Sequence, residues 1–157
     1  DKSSVRVGGK VIPRVRSMGM SQAIGGPGPW LPAEPGMHDP QRRYKVFIKS
    51  ADLDNPGPAN VYVLLDEHPD SINAGGFANK MVEDPARSYI IDYPASYHNG
   101  AAGISFADGH AEIKKWRDPR TTPAPKYNNS LLLGVSSPNN PDMRWLSDRT
   151  TIQSETR

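Results

Sequence analysis

The chain has 157 residues, 36% of them hydrophobic, no cysteine and a formal net charge of +2. That is the length of one domain, 1–157, with enough chain to bury a core. Without cysteine there is no disulfide scaffold, thiolate zinc site, iron–sulfur cluster or Cys nucleophile. No run of about 18 apolar residues offers a membrane span, and so small a net charge makes no case for nucleic acid. Fourteen glycines and sixteen prolines punctuate every region, so few helical residues are expected. Asp1 opens a polar segment with no apolar core, so no secretory leader is expected.

Charge is uneven along the chain. Residues 1–50 carry +6, 51–110 carry −7 and 111–157 carry +3. The acidic middle holds His68, His98 and His110, so a cation site is sought there. The plainer reading is that the thirds attract one another, within the fold or between subunits.

In chain order, Gly8-Gly9 predicts the turn of a short hairpin, and Pro13 stops any helix. The segment GGPGPWLPAEPGMHDP, 25–40, predicts a long surface loop pinned by Trp30 and Leu31. YKVFI (44–48) reads as a strand. VYVLL (61–65) reads as a strand buried on both faces. It ends in the polar turn DEHPDSINAGG. SYIIDY (88–93) is a further strand. GISFADGHAEIKKW (103–116) is a hairpin turning on Asp108-Gly109 as a two-residue type I′ loop. That register pairs Phe106 with Ala111 and Ile104 with Ile113, placing all four on one face. The tail, 117–157, is read as extended wrapping coil with an apolar patch at LLLGV (131–135) and an anchor at Trp145-Leu146. Together these predict a mainly β fold: a small antiparallel sheet of three to five strands with long Pro/Gly-rich loops.

Two clusters could carry chemistry. Asp66, Glu67, Asp70, Ser71 and Asn73 crowd oxygens into one turn, as a calcium loop does; Asp66, Asp70 and Asn73 are the candidate ligands, with Asp108 a further one. The alternative is that turn-forming side chains bond their own backbone. In the second cluster, His98 is placed to lay its imidazole on Asp108 at the Asp108-Gly109 turn. It is either a structural bond that fixes the turn or a general-base pair. With Asp66, His68 and His110 the same pair would make a metal-dependent hydrolase. Gly25-Gly26-Pro27-Gly28-Pro29 lacks the Lys-Ser/Thr of a phosphate loop and is read as plain loop.

The run YPASYHNGAAGISFADGHAEIKKWRDPR, with His98 nine intervening residues before Asp108-Gly109, resembles the C-terminal H-X9-DG region of prepilin-type pseudopilins, the type II secretion protein G-like chains. NPGPANVYVLLDEHPDSINAGGF (55–77), NNPDMRWLSDRTT (139–151) and Pro13-Arg14-Val15-Arg16-Ser17-Met18 are similar to the same group, so the resemblance spans most of 13–151. It implies a globular domain with an antiparallel sheet, carried in such proteins behind an apolar N-terminal helix. Neither that helix nor a GFTLIEL-like segment is among these residues. It also implies a structural calcium in a C-terminal loop, other pilin-like subunits as partners in a filament, membrane attachment only through the missing helix, and an extracellular, cell-surface or periplasmic place. On this reading the chain is a structural subunit and not an enzyme, with Trp30, Trp116 and Trp145 as contact anchors. The two other readings are the hydrolase and a surface binding module for glycan or protein, recognised by an exposed aromatic platform.

Overall fold

The computed structural model describes residues 4–7, 9–13, 17–25 and 43–154. Strands β1 (Ser4–Val7) and β2 (Lys10–Pro13) form an antiparallel hairpin with Val7 opposite Lys10. Gly9 takes a φ of 79° in the turn between them, a conformation that suits glycine. The main sheet has five strands in the order β5-β3-β4-β7-β8. They are β3 (Met18–Ser21), β4 (Tyr62–Asp66), β5 (Gly76–Phe77), β7 (Ala101–Phe106) and β8 (Ala111–Lys115). All neighbours are antiparallel except β3 and β5, which run parallel. Strands β6 (Tyr89–Ile90) and β9 (Val135–Ser136) pair apart from it. The fold is mainly β and built on a small five-stranded sheet, as the sequence implies. Residues 26–42, which include Trp30 and nearly all of the Pro/Gly loop, lie outside the described residues.

β4 is the central element, and a bulge in it decides what it buries. Tyr62 faces Phe106, Leu64 faces Ser105 and Leu65 faces Ile104, so one extra residue sits between Tyr62 and Leu64. Side chains otherwise alternate between faces; the extra residue resets the alternation and puts Tyr62 and Leu65 on the same side. Both join the larger core cluster with Phe77, Ile90, Ile104, Phe106, Trp116, Met143 and Leu146. Val61 points the other way, into a second cluster with Ala23, Tyr44, Phe47 and Met81. Burial on both faces therefore holds for Val61, Tyr62 and Leu65, with Val63 half-buried and Leu64 38% exposed. β3 reaches β5 only because residue 19 is glycine: a Cβ there would stand 2.9 Å from the Phe77 Cβ and 3.2 Å from its backbone nitrogen.

Three expectations need correction. YKVFI makes isolated bridges, Tyr44 to Gln153 and Phe47 to Ile24, and is not a sheet strand. Its N–H groups alternate between two partners: Lys45 donates to Ile152 at 2.9 Å and Phe47 to Ala23 at 2.8 Å. The second correction is the register of the 103–116 hairpin. Ser105 faces Ala111, Ile104 faces Glu112 and Gly103 faces Ile113, one residue away from the expected pairing. The Gly109 N–H donates to the Phe106 carbonyl at 3.0 Å and the Phe106 N–H to the His110 carbonyl at 2.9 Å. Gly109 has a φ of 92°, and Asp108 is not left-handed. The loop thus has three residues, a type I turn closed by a glycine bulge, where type I′ needs two positive φ values. The shift sends Ile113 to solvent, 73% exposed, while Ile104 stays buried. The third correction is the tail. Residues 141–150 are not extended; they form α1 (Pro141–Thr150). Asn140 caps it by accepting the Asp142 and Met143 N–H groups, Pro141 fills the first turn and Asp142 meets the positive end of the dipole. Met143, Leu146, Ser147 and Thr150 then fall on its buried side.

Candidate functional site

β4 runs out of the sheet into Asp66-Glu67-His68-Pro69-Asp70-Ser71, and this corner is buried despite its polarity. Backbone bonds hold it on both sides. The Glu67 N–H donates to Ser17 at 2.7 Å, that of His68 to Tyr93 at 2.9 Å and that of Ala95 to Asp66 at 2.7 Å. The Ser71 hydroxyl accepts the Tyr93 N–H at 2.9 Å. Buried backbone groups must find such partners, and these bonds supply several of them along the corner.

Two side chains of the corner reach across to the tail. His68 is fully buried. Its Nδ1 accepts the Asp70 N–H at 3.1 Å, so Nε2 carries the proton and donates to the Pro123 carbonyl at 3.0 Å. Burial holds its pKa below the usual imidazole value, so it is neutral here. The Asp70 carboxylate accepts the N–H groups of Lys126, Asn128 and Asn129 at 2.6, 2.5 and 3.0 Å. Burial by itself would raise its pKa; the backbone donors outweigh that and hold it below the carboxylate range.

Asp66 faces outward from the same corner. Its Oδ1 accepts the Tyr97 hydroxyl at 2.9 Å and its Oδ2 the His98 Nε2–H at 3.1 Å. The rings of Tyr97 and His98 lie 4.6 Å apart. Burial and the Asp66 charge push the Tyr97 phenol well up, so it stays a donor. The group borders a cleft of about 310 Å³ whose other walls include Ser17, Pro69, Ile72 and Tyr127. Chemically this is a carboxylate orienting a half-exposed imidazole, with two exposed tyrosines beside it.

The expected clusters therefore come apart. His98 bonds Asp66, not Asp108. Asp108 instead accepts from His110, through its backbone N–H at 3.1 Å and its Nδ1 at 2.5 Å. The imidazole lies flat on Phe106, 4.3 Å between centroids. That bond to His110 lowers the Asp108 pKa. Asn73 donates to Asp92 at 3.2 Å. The four calcium candidates are thus dispersed: Asp66 to Tyr97 and His98, Asp70 to the tail, Asn73 to Asp92, and Asp108 to its own turn. Among the described residues no group of three or more His, Asp or Glu is arranged to hold a metal ion. The hydrolase set of Asp66, His68, His98, Asp108 and His110 does not converge either, since His68 is turned to Pro123 and His110 sits at the hairpin tip. Of the structural set, Asp108 and Gly109 do shape the turn, without His98.

Of the aromatic anchors, Trp30 lies outside the described residues, and Trp116 needs correction. Trp116 is buried, and its indole N–H donates to the Ala95 carbonyl at 2.8 Å. Trp145 meets it edge-on at 6.1 Å, and Lys114 and Arg149 lie over the Trp145 ring at 4.7 and 4.2 Å. Trp116 is thus used inside the fold, while Trp145 packs against the core and stays partly exposed. The sequence reading did not single out Tyr127 as a wall of the cleft; nothing local marks a tail tyrosine as facing residues sixty positions earlier. No family model matches this chain, and no curated protein or solved structure matches it either. No helix among the described residues is long and apolar enough to cross a membrane.

Proposed function

We propose that this chain is a structural, non-enzymatic subunit: the globular domain of a pilin-like protein that works by packing against its neighbours in a type II secretion or type IV pilus-like filament. One observation carries the reading. Four acidic and imidazole side chains of the middle third are engaged in holding loops: His68 and Asp70 pin residues 123–129, Asp66 pins 97–98, and Asp108 shapes its turn. Such use of polar side chains builds a fixed shape, which is what a stacked building block requires. The H-X9-DG resemblance supports the same reading. Partners are other pilin-like subunits, and the place is extracellular, cell-surface or periplasmic. The test is to shear surface fibres from cells making the chain in its native context and look for it by immunoblot and electron microscopy. The reading requires the chain in the fibre fraction at a regular repeat. Finding it only as a free soluble species overturns the reading.

A second reading, a surface binding module, is favoured by the cleft: Tyr97 and Tyr127 are 40% and 46% exposed beside Asp66 and His98. A glycan array separates the two, since the module reading requires binding that Tyr97→Ala and Tyr127→Ala abolish.

A further inference from the structure

β8 is the last strand of the five-stranded sheet, and among the described residues nothing pairs with its outer edge. Its inner bonds are fixed by its neighbours: the His110 carbonyl accepts from Phe106, and the Trp116 N–H donates to Gly100. Hydrogen-bonding direction alternates along an antiparallel strand, so the even-numbered residues of β8 face β7 and the odd-numbered ones face outward. Ala111, Ile113 and Lys115 therefore present their N–H and C=O groups to the open edge, where no described residue bonds them. All three are exposed, Ile113 at 73%. A row of unpaired donors and acceptors is a template for another strand, and soluble proteins normally block it.

We propose that two copies of this chain pair through β8, antiparallel, about a two-fold axis at Ile113. In that register Ile113 meets Ile113 of the second copy, and Ala111 meets Lys115 on either side, each as a hydrogen-bonded pair. Glu112 then stands opposite Lys114 twice, in the closer non-hydrogen-bonded positions. Because only the odd-numbered residues face outward, the register can slip only by two. One slip centres the axis on Glu112 and sets carboxylate against carboxylate; the other centres it on Lys114 and sets ammonium against ammonium. Like charges directly opposite destabilise a sheet pair. The charge sequence of this one strand thus selects a single self-complementary register, the requirement of an isologous interface. Strand pairing across the axis would join two five-stranded sheets into one. The inference stands apart from the filament reading.

Sedimentation velocity over a micromolar to millimolar range tests it. The unaltered chain is expected to dimerise reversibly. Glu112→Lys turns both unlike pairs into like ones and is expected to weaken the dimer about tenfold; Lys114→Glu does the same. The double variant, which exchanges the two charges, is expected to restore it. Ile113→Pro removes an N–H that β7 does not use, so the fold is kept while the dimer is lost; far-ultraviolet circular dichroism checks the fold. A chain monomeric throughout, a dimer indifferent to Ile113→Pro, or a charge exchange that does not restore association overturns the proposal. A dimer seen while sheared fibres lack the chain would sink the filament reading alone.

Discussion

Asp92 shows how a single buried carboxylate sets pH behaviour. It is 3% exposed and accepts the Ala78 N–H at 2.7 Å and the Asn73 amide at 3.2 Å. Burial nevertheless dominates those donors and raises its pKa to about 6. A carboxyl whose folded pKa lies above its unfolded value of 3.8 binds more protons in the folded state. Its contribution is complete below 3.8 and is lost as pH rises through about 6. The shift corresponds to a penalty of about 3 kcal/mol at neutral pH. Asp92→Asn keeps an oxygen for Ala78, and Asn73 can turn its amide to meet the new NH2. The variant should therefore unfold at higher urea than the parent at pH 8, with the difference fading by pH 4. Equal midpoints at both pH values would show that Asp92 is not desolvated in solution.

Among the elements, the loop 123–129 shows how irregular chain is ordered by an acceptor far away in sequence. Asp70 takes three of its N–H groups and His68 takes the Pro123 carbonyl. Because the folded pKa of Asp70 is depressed, its contribution is present above its unfolded value and is lost as pH falls through the folded one. Asp70→Asn aims an amide NH2 at backbone donors and should cost about 1.5–3 kcal/mol. Amide exchange at Lys126, Asn128 and Asn129 should quicken selectively, with β7 still protected; uniform quickening would instead mean that the loop and sheet open together. This contact was half legible in the sequence: the oxygens of 66–73 read as crowded, but the partners of Asp70 lie over fifty residues on, and spacing cannot show them. The 103–116 hairpin was legible in its turn and wrong in its register. Alternation assigned Ile113 inward because it is apolar, yet an edge strand can leave an isoleucine outside, and one left-handed glycine where two positive φ values were assumed moves every pair by one. α1 was hidden by the Asn- and Ser-rich composition around it, although Asn140-Pro141-Asp142 is a helix start and Met143, Leu146 and Thr150 keep helical spacing.

At the scale of the molecule, the C-terminal segment closes the fold. α1 places Met143 and Leu146, 1% and 0% exposed, in the cluster that β4 and β7 face. Its Ser147 hydroxyl accepts the Val82 N–H at 2.9 Å, and its Thr150 hydroxyl donates to Asn79 at 3.0 Å. Beyond it, the Ser154 N–H donates to Arg43 and the Lys45 N–H to Ile152, at 2.7 and 2.9 Å. Phe47 in turn bonds Ala23, next to β3. Residues 152–154 thus tie residues 43–45 to the end of the helix, and Phe47 ties the same segment to the sheet, so helix, segment and sheet should unfold as one unit. Leu146→Ala empties a site walled by sheet and helix together and should cost about 2–5 kcal/mol. That is a large share of the roughly 5–15 kcal/mol a whole domain commands. The urea midpoint should fall with the slope unchanged, and tryptophan fluorescence, reporting Trp116 and Trp145, should track circular dichroism through a single transition. If fluorescence changes first while the sheet signal holds, α1 is a separable cap, and the closure by residues 151–154 is not what holds the sheet.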